Sequence, residues 1–176
     1  MEQITYGKTT WRGEKDCSLQ GKIARTTSGI EMEFFILDDS IVEQTSEQEK
    51  GEFLELYLDI RPVRLQVHNF YEKGVFKINI YPFSKEKISF FPLTYPIEIH
   101  KIIVKTSIIK NKGYEVKIQI EEAEIMKNHY SLRKQIGFDV SINDVDKKVR
   151  KTQMTYSGNA DSWQFPHLFK RIELED

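Results

Sequence analysis

FLELYLD, residues 53–59, sets Leu54, Leu56 and Leu58 on one side of the chain and Phe53, Glu55, Tyr57 and Asp59 on the other. An extended backbone turns successive side chains to opposite sides, so strict period two predicts a strand with one apolar and one polar face. The same alternation recurs three times. VFKINIY at 75–81 sets Phe76, Ile78 and Ile80 against Lys77, Asn79 and Tyr81. YEVKIQIE at 114–121 sets Val116, Ile118 and Ile120 against Lys117, Gln119 and Glu121. GFDVSIND at 137–144 sets Phe138, Val140 and Ile142 against Asp139, Ser141 and Asn143. Four such segments predict sheets with one dry face and one wet face.

The composition points the same way. Of the aliphatic residues, 21 are Ile and 9 Val, against 10 Leu and only 3 Ala. β-Branched side chains suit a pleated surface, whereas Ala and Leu lead the helix formers. Further strands are predicted at 21–26, 30–37, 63–68, 99–109, 152–156 and 168–174. Turn residues separate them at Thr27-Ser28-Gly29, Glu72-Lys73-Gly74, Asn111-Lys112-Gly113 and Ser157-Gly158-Asn159. The Asn-Lys-Gly turn joins 99–109 to 114–121 as a hairpin. The expected fold is all-β, a two-sheet antiparallel sandwich of jelly-roll or immunoglobulin-like type with about ten strands. Short helical turns are expected only near 122–134. At 176 residues, with no repeat, linker or low-complexity tract, residues 1–176 read as one domain.

Several function classes are disfavoured. The net charge of −1 argues against nucleic acid, whose binding requires clustered cations to displace counterions. The longest apolar runs, such as EFFIL at 33–37, are too short to span a bilayer. No basic stretch followed by an apolar segment opens the chain, so it is expected to be cytoplasmic or a module excised from an exported protein. Cys17 is the only cysteine, which precludes an internal disulfide. No glycine-rich phosphate loop, nucleophile elbow or HExxH helix is present, and His68, His100, His129 and His167 lack metal-ligand spacing. A non-catalytic protein is expected.

Two binding chemistries remain. Asn143, Asp144 and Asp146 in NDVDKK group oxygen ligands of the kind calcium takes, although Asx residues in a turn also bond to their own backbone. Tyr57 and Tyr81 stand among Glu55, Asp59, Lys77, Asn79, Asp139 and Ser141 on the polar faces. Flat rings beside paired hydrogen-bonding groups suit a sugar, whose C–H faces stack while its hydroxyls are bonded. Trp163, in SGNADSWQFP at 157–166, offers either such a platform or a staple closing the C-terminal loop onto the core.

The stretch IGFDVSINDVDKKVRKTQMTYSGNADSWQFPHLFKRIEL, 136–174, resembles the C-terminal part of family 9 carbohydrate-binding modules. The shared elements are Gly137-Phe138, Asn143-Asp144-Val145-Asp146, Arg150-Lys151, Tyr156-Ser157-Gly158, Trp163, Pro166 and Phe169. GEFLELYLDIRP at 51–62, YEVKIQI at 114–120 and WRGEKDCS at 11–18 are similar to further parts of that pattern. The resemblance implies a two-sheet sandwich that holds a sugar between two tryptophans, with calcium as a structural ion. Trp163 would be the second ring. The first falls six residues before Glu55, where this chain has Glu49; Tyr57, Tyr71 and Phe53 are the candidates to replace it. Glu55, Arg150 and Lys151 match positions of polar sugar contacts, with Asp139 added from the same polar face. Lys170 stands where a glycine is usual.

The expectation is a non-catalytic module that stacks a unit of a β-glucan or xylan-type oligosaccharide or polysaccharide on an aromatic platform. Its partners would include neither nucleic acid nor membrane, and it would form part of a larger polypeptide or stand alone. The alternative is a structural or protein-interaction sandwich that has lost the sugar site. A haem-binding relative, using a Met such as Met32, Met126 or Met154 with His68 or His100, is a third reading that no spacing singles out.

Overall fold

The computed structural model describes residues 4–42, 51–90, 101–110, 112–123, 130–146 and 149–175. Eleven strands are found among them: β1 (Ile4–Tyr6), β2 (Cys17–Thr26), β3 (Gly29–Asp38), β4 (Phe53–Asp59), β5 (Val75–Ile80), β6 (Ile88–Phe90), β7 (Ile102–Ile109), β8 (Gly113–Glu121), β9 (Gln135–Asp146), β10 (Val149–Thr155) and β11 (Lys170–Glu173). One sheet has the order β1-β10-β9-β4-β5-β6, with β11 also paired to β9; the other runs β2-β3-β8-β7. Every pairing between these strands is antiparallel. The predicted sandwich is what forms, and among the described residues no helix is long and apolar enough to cross a membrane.

The dry faces meet as expected. Leu54, Leu56 and Leu58 of β4, Phe76, Ile78 and Ile80 of β5, and Val140 and Ile142 of β9 face Met32, Phe34 and Ile36 of β3 and Val116, Ile118 and Ile120 of β8 in one buried core. Burying each such side chain contributes about 1.5–3 kcal/mol, which is what holds the two sheets together. The β7–β8 hairpin closes on Gly113 at φ 127°, where a Cβ would lie 1.9 Å from the Ile36 carbonyl oxygen. Only glycine tolerates both that backbone and that approach.

The polar faces divide. On the smaller sheet the outer face is open, with Lys117 and Lys22 paired to Glu33 at 3.1 and 2.8 Å. On the larger sheet the face expected to be wet is covered: Glu55, Tyr57, Asp59, Lys77, Asp139, Ser141 and Asn143 are all buried. At the end of the face that holds Tyr57, Asp59 and Asp139, two loops fold back over it, 60–74 and 156–169. Tyr71 of the first donates its hydroxyl to the Ser162 carbonyl of the second at 3.4 Å. Phe169 packs its ring against Tyr57 (5.5 Å between centroids) and Tyr71 (6.4 Å).

One local expectation, a strand at 63–68, is corrected. Residues 63–68 form no strand. Val63–Leu65 is a single 3-10 turn, and Gln66 donates to the Arg61 carbonyl at 2.8 Å, curling the segment on itself. Within 122–134, residues 122 and 123 are helical, 130–134 are not, and 124–129 lie outside the described residues. The short strands β1 and β6, three residues each, had no alternation long enough to read.

Candidate functional site

Register arranges the covered polar face into rows. Tyr57 pairs with Lys77 and Asp139, Glu55 with Asn79 and Ser141, and Phe53 with Asn143. Asn143 pairs in turn with Gln153 of β10. Glu55 is the hub. One carboxylate oxygen meets Lys77 Nζ at 2.7 Å, and the other accepts from Gln153 Nε2 at 2.9 Å and Asn143 Nδ2 at 3.3 Å. Three donors nearly exhaust the acceptor capacity of a carboxylate, so Glu55 organises the face more than it reaches outward. Beside it Asn79 Nδ2 donates to the Tyr81 hydroxyl at 3.5 Å, and the buried Asn79 Oδ1 has no hydrogen-bond partner among the described residues. Phe53 and Tyr81 stack at 5.7 Å and 30°, forming a ring wall one row beyond Glu55.

Trp163 rides on the loop that covers the other end of this face. Its indole is 43% exposed, whereas its neighbours Ser162, Pro166 and Phe169 are buried and fix the loop. The anchor is Asp139, which accepts the Ser157 backbone N–H at 2.9 Å. The Ser157 and Ser162 hydroxyls bond at 3.1 Å, and Asn159 Oδ1 accepts the Asp161 N–H at 3.1 Å. Burial pushes the Asp139 carboxyl up, while bonds from Ser157 and Ser162 hold it back down. The tryptophan therefore does not close the core; it is carried at the surface by a loop others tie down.

Two expected sugar contacts are corrected by burial. Asp139 is wholly enclosed and serves the Trp163 loop. Tyr57 is 1% exposed, beneath Phe169 and beside Lys77 Nζ at 5.4 Å from its ring centre, so its ring offers no free surface. Arg150 and Lys151 lie on β10, next to an irregular register between Arg150 and Thr152, and their side chains are outside the description. Glu49 also lies outside the described residues. Of the candidates to replace the missing ring, Tyr71 is half-buried in the cluster with Tyr57 and Phe169, and Phe53 is half-buried against Tyr81.

Of the three residues expected to ligate a cation, Asp144 alone meets other acids among the described residues, while Asn143 and Asp146 are turned elsewhere. Strand alternation turns Asn143 toward Glu55, away from Asp144. Asp146 is partly exposed and 3.9 Å from the Arg12 guanidinium. Asp144 meets instead Asp38 and Glu52, all three buried, with one oxygen from each lying within 4.8 Å of the others. Each flanks the end of a row of apolar core positions: Asp38 after Ile36, Asp144 after Ile142, and Glu52 before Leu54. Glu52 Oε1 accepts the Val145 N–H at 3.0 Å, while Glu52 Oε2 and Asp38 Oδ2 have no hydrogen-bond partner among the described residues. Burial, with repulsion from neighbouring carboxylates, pushes Asp38 up to about 6 and Asp144 to about 7, and burial pushes Glu52 well above the usual carboxylate range. Two oxygens each about 2.4 Å from one calcium ion are at most about 4.8 Å apart, so the spacing fits that ion. The signal missed in the sequence was parity: three acids sit on dry-face positions, where a charge needs a partner.

His68 Nδ1 is 3.4 Å from Glu72 Oε1 on the 60–74 loop, and Met32 is enclosed in the core, so this pair has no common site for haem. A cavity of about 310 Å³ opens between the sheets at β2 and β10, lined by Leu19, Phe34, Phe138, Val140 and Met154. Its lining is mostly apolar but includes Lys22, Thr155 and Glu173, and it lies on the side of the larger sheet opposite Glu55.

Known proteins were compared with this architecture. The chain is similar to two solved structures from Caldicellulosiruptor kristjanssonii, each a family 9 carbohydrate-binding module. For the cellotriose complex the TM-score is 0.72 at 15% identity, covering 98% of this chain and 81% of that one. For the glucose complex it is 0.71 at 16% identity, covering 93% and 80%. A search of curated proteins gave no match. The family described as carbohydrate family 9 binding domain-like matches residues 2–176, and with its two sheets and its closing Trp163 loop the chain belongs to that family.

Proposed function

We propose that this protein is a non-catalytic carbohydrate-binding module, and that a sugar unit of a β-glucan or xylan-type oligosaccharide stacks on Trp163. The observation that carries the reading is the exposed indole on a loop pinned to a face of organised polar groups. A buried staple would give a covered indole; a platform requires a presented one. The sugar's C–H face would meet the ring, and Glu55, held in place by Lys77, Gln153 and Asn143, would be the polar group turned to its hydroxyls. Two similar structures hold cellotriose and glucose, which supports the same ligand class here. Affinity should be modest, because ordering and desolvation consume much of what one ring and a few exchanged hydrogen bonds supply.

Asp38, Glu52 and Asp144 fit a calcium ion as a structural cofactor. Their two unpartnered oxygens are the observation in its favour, since a buried acceptor without a partner is costly. A bound cation would supply the missing positive charge among three acids that lie where the core ends.

The test of the carbohydrate reading is calorimetric titration with cello- and xylo-oligosaccharides, repeated on Trp163→Ala. Binding by the wild type that the variant loses supports it. Flat heats and unchanged tryptophan fluorescence with both series would leave the alternative, a structural or protein-interaction sandwich.

A further inference from the structure

We propose that a divalent cation held by Asp38, Glu52 and Asp144 tightens carbohydrate binding on the opposite face of the same sheet, so that each ligand raises the affinity for the other. The inference rests on the carbohydrate and cation readings above and adds the link between them.

The link is strand β9. Asn143 and Asp144 are consecutive, and strand geometry turns them to opposite faces. Asp144 enters the acid triad, while Asn143 donates to Glu55 Oε2 at 3.3 Å. The other donor to that oxygen, Gln153, stands opposite Asn143 on β10, and its neighbour Thr152 stands opposite Asp144. Both donors to Glu55 Oε2 thus form one cross-strand pair, Asn143–Gln153, directly beside the pair Asp144–Thr152. The β4 side has the same construction. Glu52 of the triad accepts the Val145 N–H at 3.0 Å and leads directly into Phe53 and Glu55.

Three carboxylates from three chain segments repel one another, and a cation draws them together. The motion is delivered to strand ends that carry the Glu55 donors on their other face. The Asn143 bond, at 3.3 Å, is near the distance at which a hydrogen bond ceases to count. A shift of a few tenths of an ångström on β9 decides whether it forms. Because the cation then favours the arrangement that also binds sugar, the effect is reciprocal.

The experiment titrates the full chain with cellotriose in calcium chloride and in EDTA, and follows melting in both. Cellotriose should bind about fivefold or more tighter with calcium, and should tighten calcium binding by the same factor. Asp144→Asn should bind cellotriose as the EDTA-treated protein does, indifferent to calcium. Asn143→Ala should keep the calcium-induced rise in melting temperature but lose the calcium effect on cellotriose. Equal cellotriose affinity in calcium and EDTA, with melting still raised by calcium, would overturn the coupling and leave both sites standing. Melting insensitive to calcium would remove the cation site and the coupling with it. Absence of cellotriose binding in both buffers would overturn the carbohydrate reading as well.

Discussion

At the scale of the residue, exposure and anchoring separate roles that residue type alone confounds. Trp163 and Tyr57 are both aromatic members of the polar side of the molecule, yet one is 43% exposed and the other 1%. Trp163→Ala should therefore weaken oligosaccharide binding by at least about tenfold, as loss of a stacking hot spot does. Its unfolding free energy should change by less than about 1 kcal/mol, as expected away from the core. Parallel calorimetry and urea denaturation measure the two effects, and a stability loss of about 3–5 kcal/mol would restore the staple. Glu55→Gln should cost stability as well as binding. It removes the charge that Lys77 Nζ meets at 2.7 Å, and breaking one partner of a buried pair costs about 3–5 kcal/mol.

At the scale of the element, the loop 60–74 covers the polar face because a buried guanidinium holds it shut. Arg61 is fully buried and bonds Asp59 through Nε at 2.9 Å and through a second nitrogen at 2.6 Å, with Glu72 as a further partner. Arg61→Ala would leave Asp59 charged and enclosed, and should destabilise the protein by about 3–5 kcal/mol. Limited proteolysis of the variant should cut first within 60–74; unchanged cleavage and denaturation would show that the loop closes without the arginine. The sequence VRLQVH at 63–68 reads as a strand because Val63, Leu65 and Val67 alternate. Arg61, drawn back to Asp59, and Gln66, bonded to the Arg61 carbonyl, override that pattern from outside the alternating set.

At the scale of the whole molecule, the acid triad ties stability to pH and to cations. Asp38 and Asp144 keep their protons in the native state up to about 6 and 7, whereas the unfolded chain releases them near ordinary carboxylate values. The native state thus binds more protons across this window, and cation-free protein loses stability as pH rises from about 4 to about 7. In EDTA the melting temperature should be lower at pH 8 than at pH 5. Excess calcium should raise it most at pH 8, where an ion replaces protons already lost. Scanning calorimetry at the two values, with and without calcium, is the check; identical melting in EDTA at both would contradict the triad's raised affinities for protons.

Period-two alternation in residues 53–59, 75–81, 114–121 and 137–144 suffices to determine the sandwich, because a strand's faces are written in every second residue. The closing motif around Trp163, with the stretches at 11–18, 51–62 and 114–120, carries the resemblance to the family. Two things are decided only by the tertiary structure. One is that the polar face of the larger sheet lies under loops, since residues far apart, Tyr71 and Ser162 or Phe169 and Tyr57, must meet to cover it. The other is the acid triad. Asp38, Glu52 and Asp144 share no spacing along the chain, and only the pairing of β4 with β9 and the packing of the second sheet bring their carboxylates together. Alternation is local and legible in the sequence, whereas convergence of distant strand ends is a property of topology and packing.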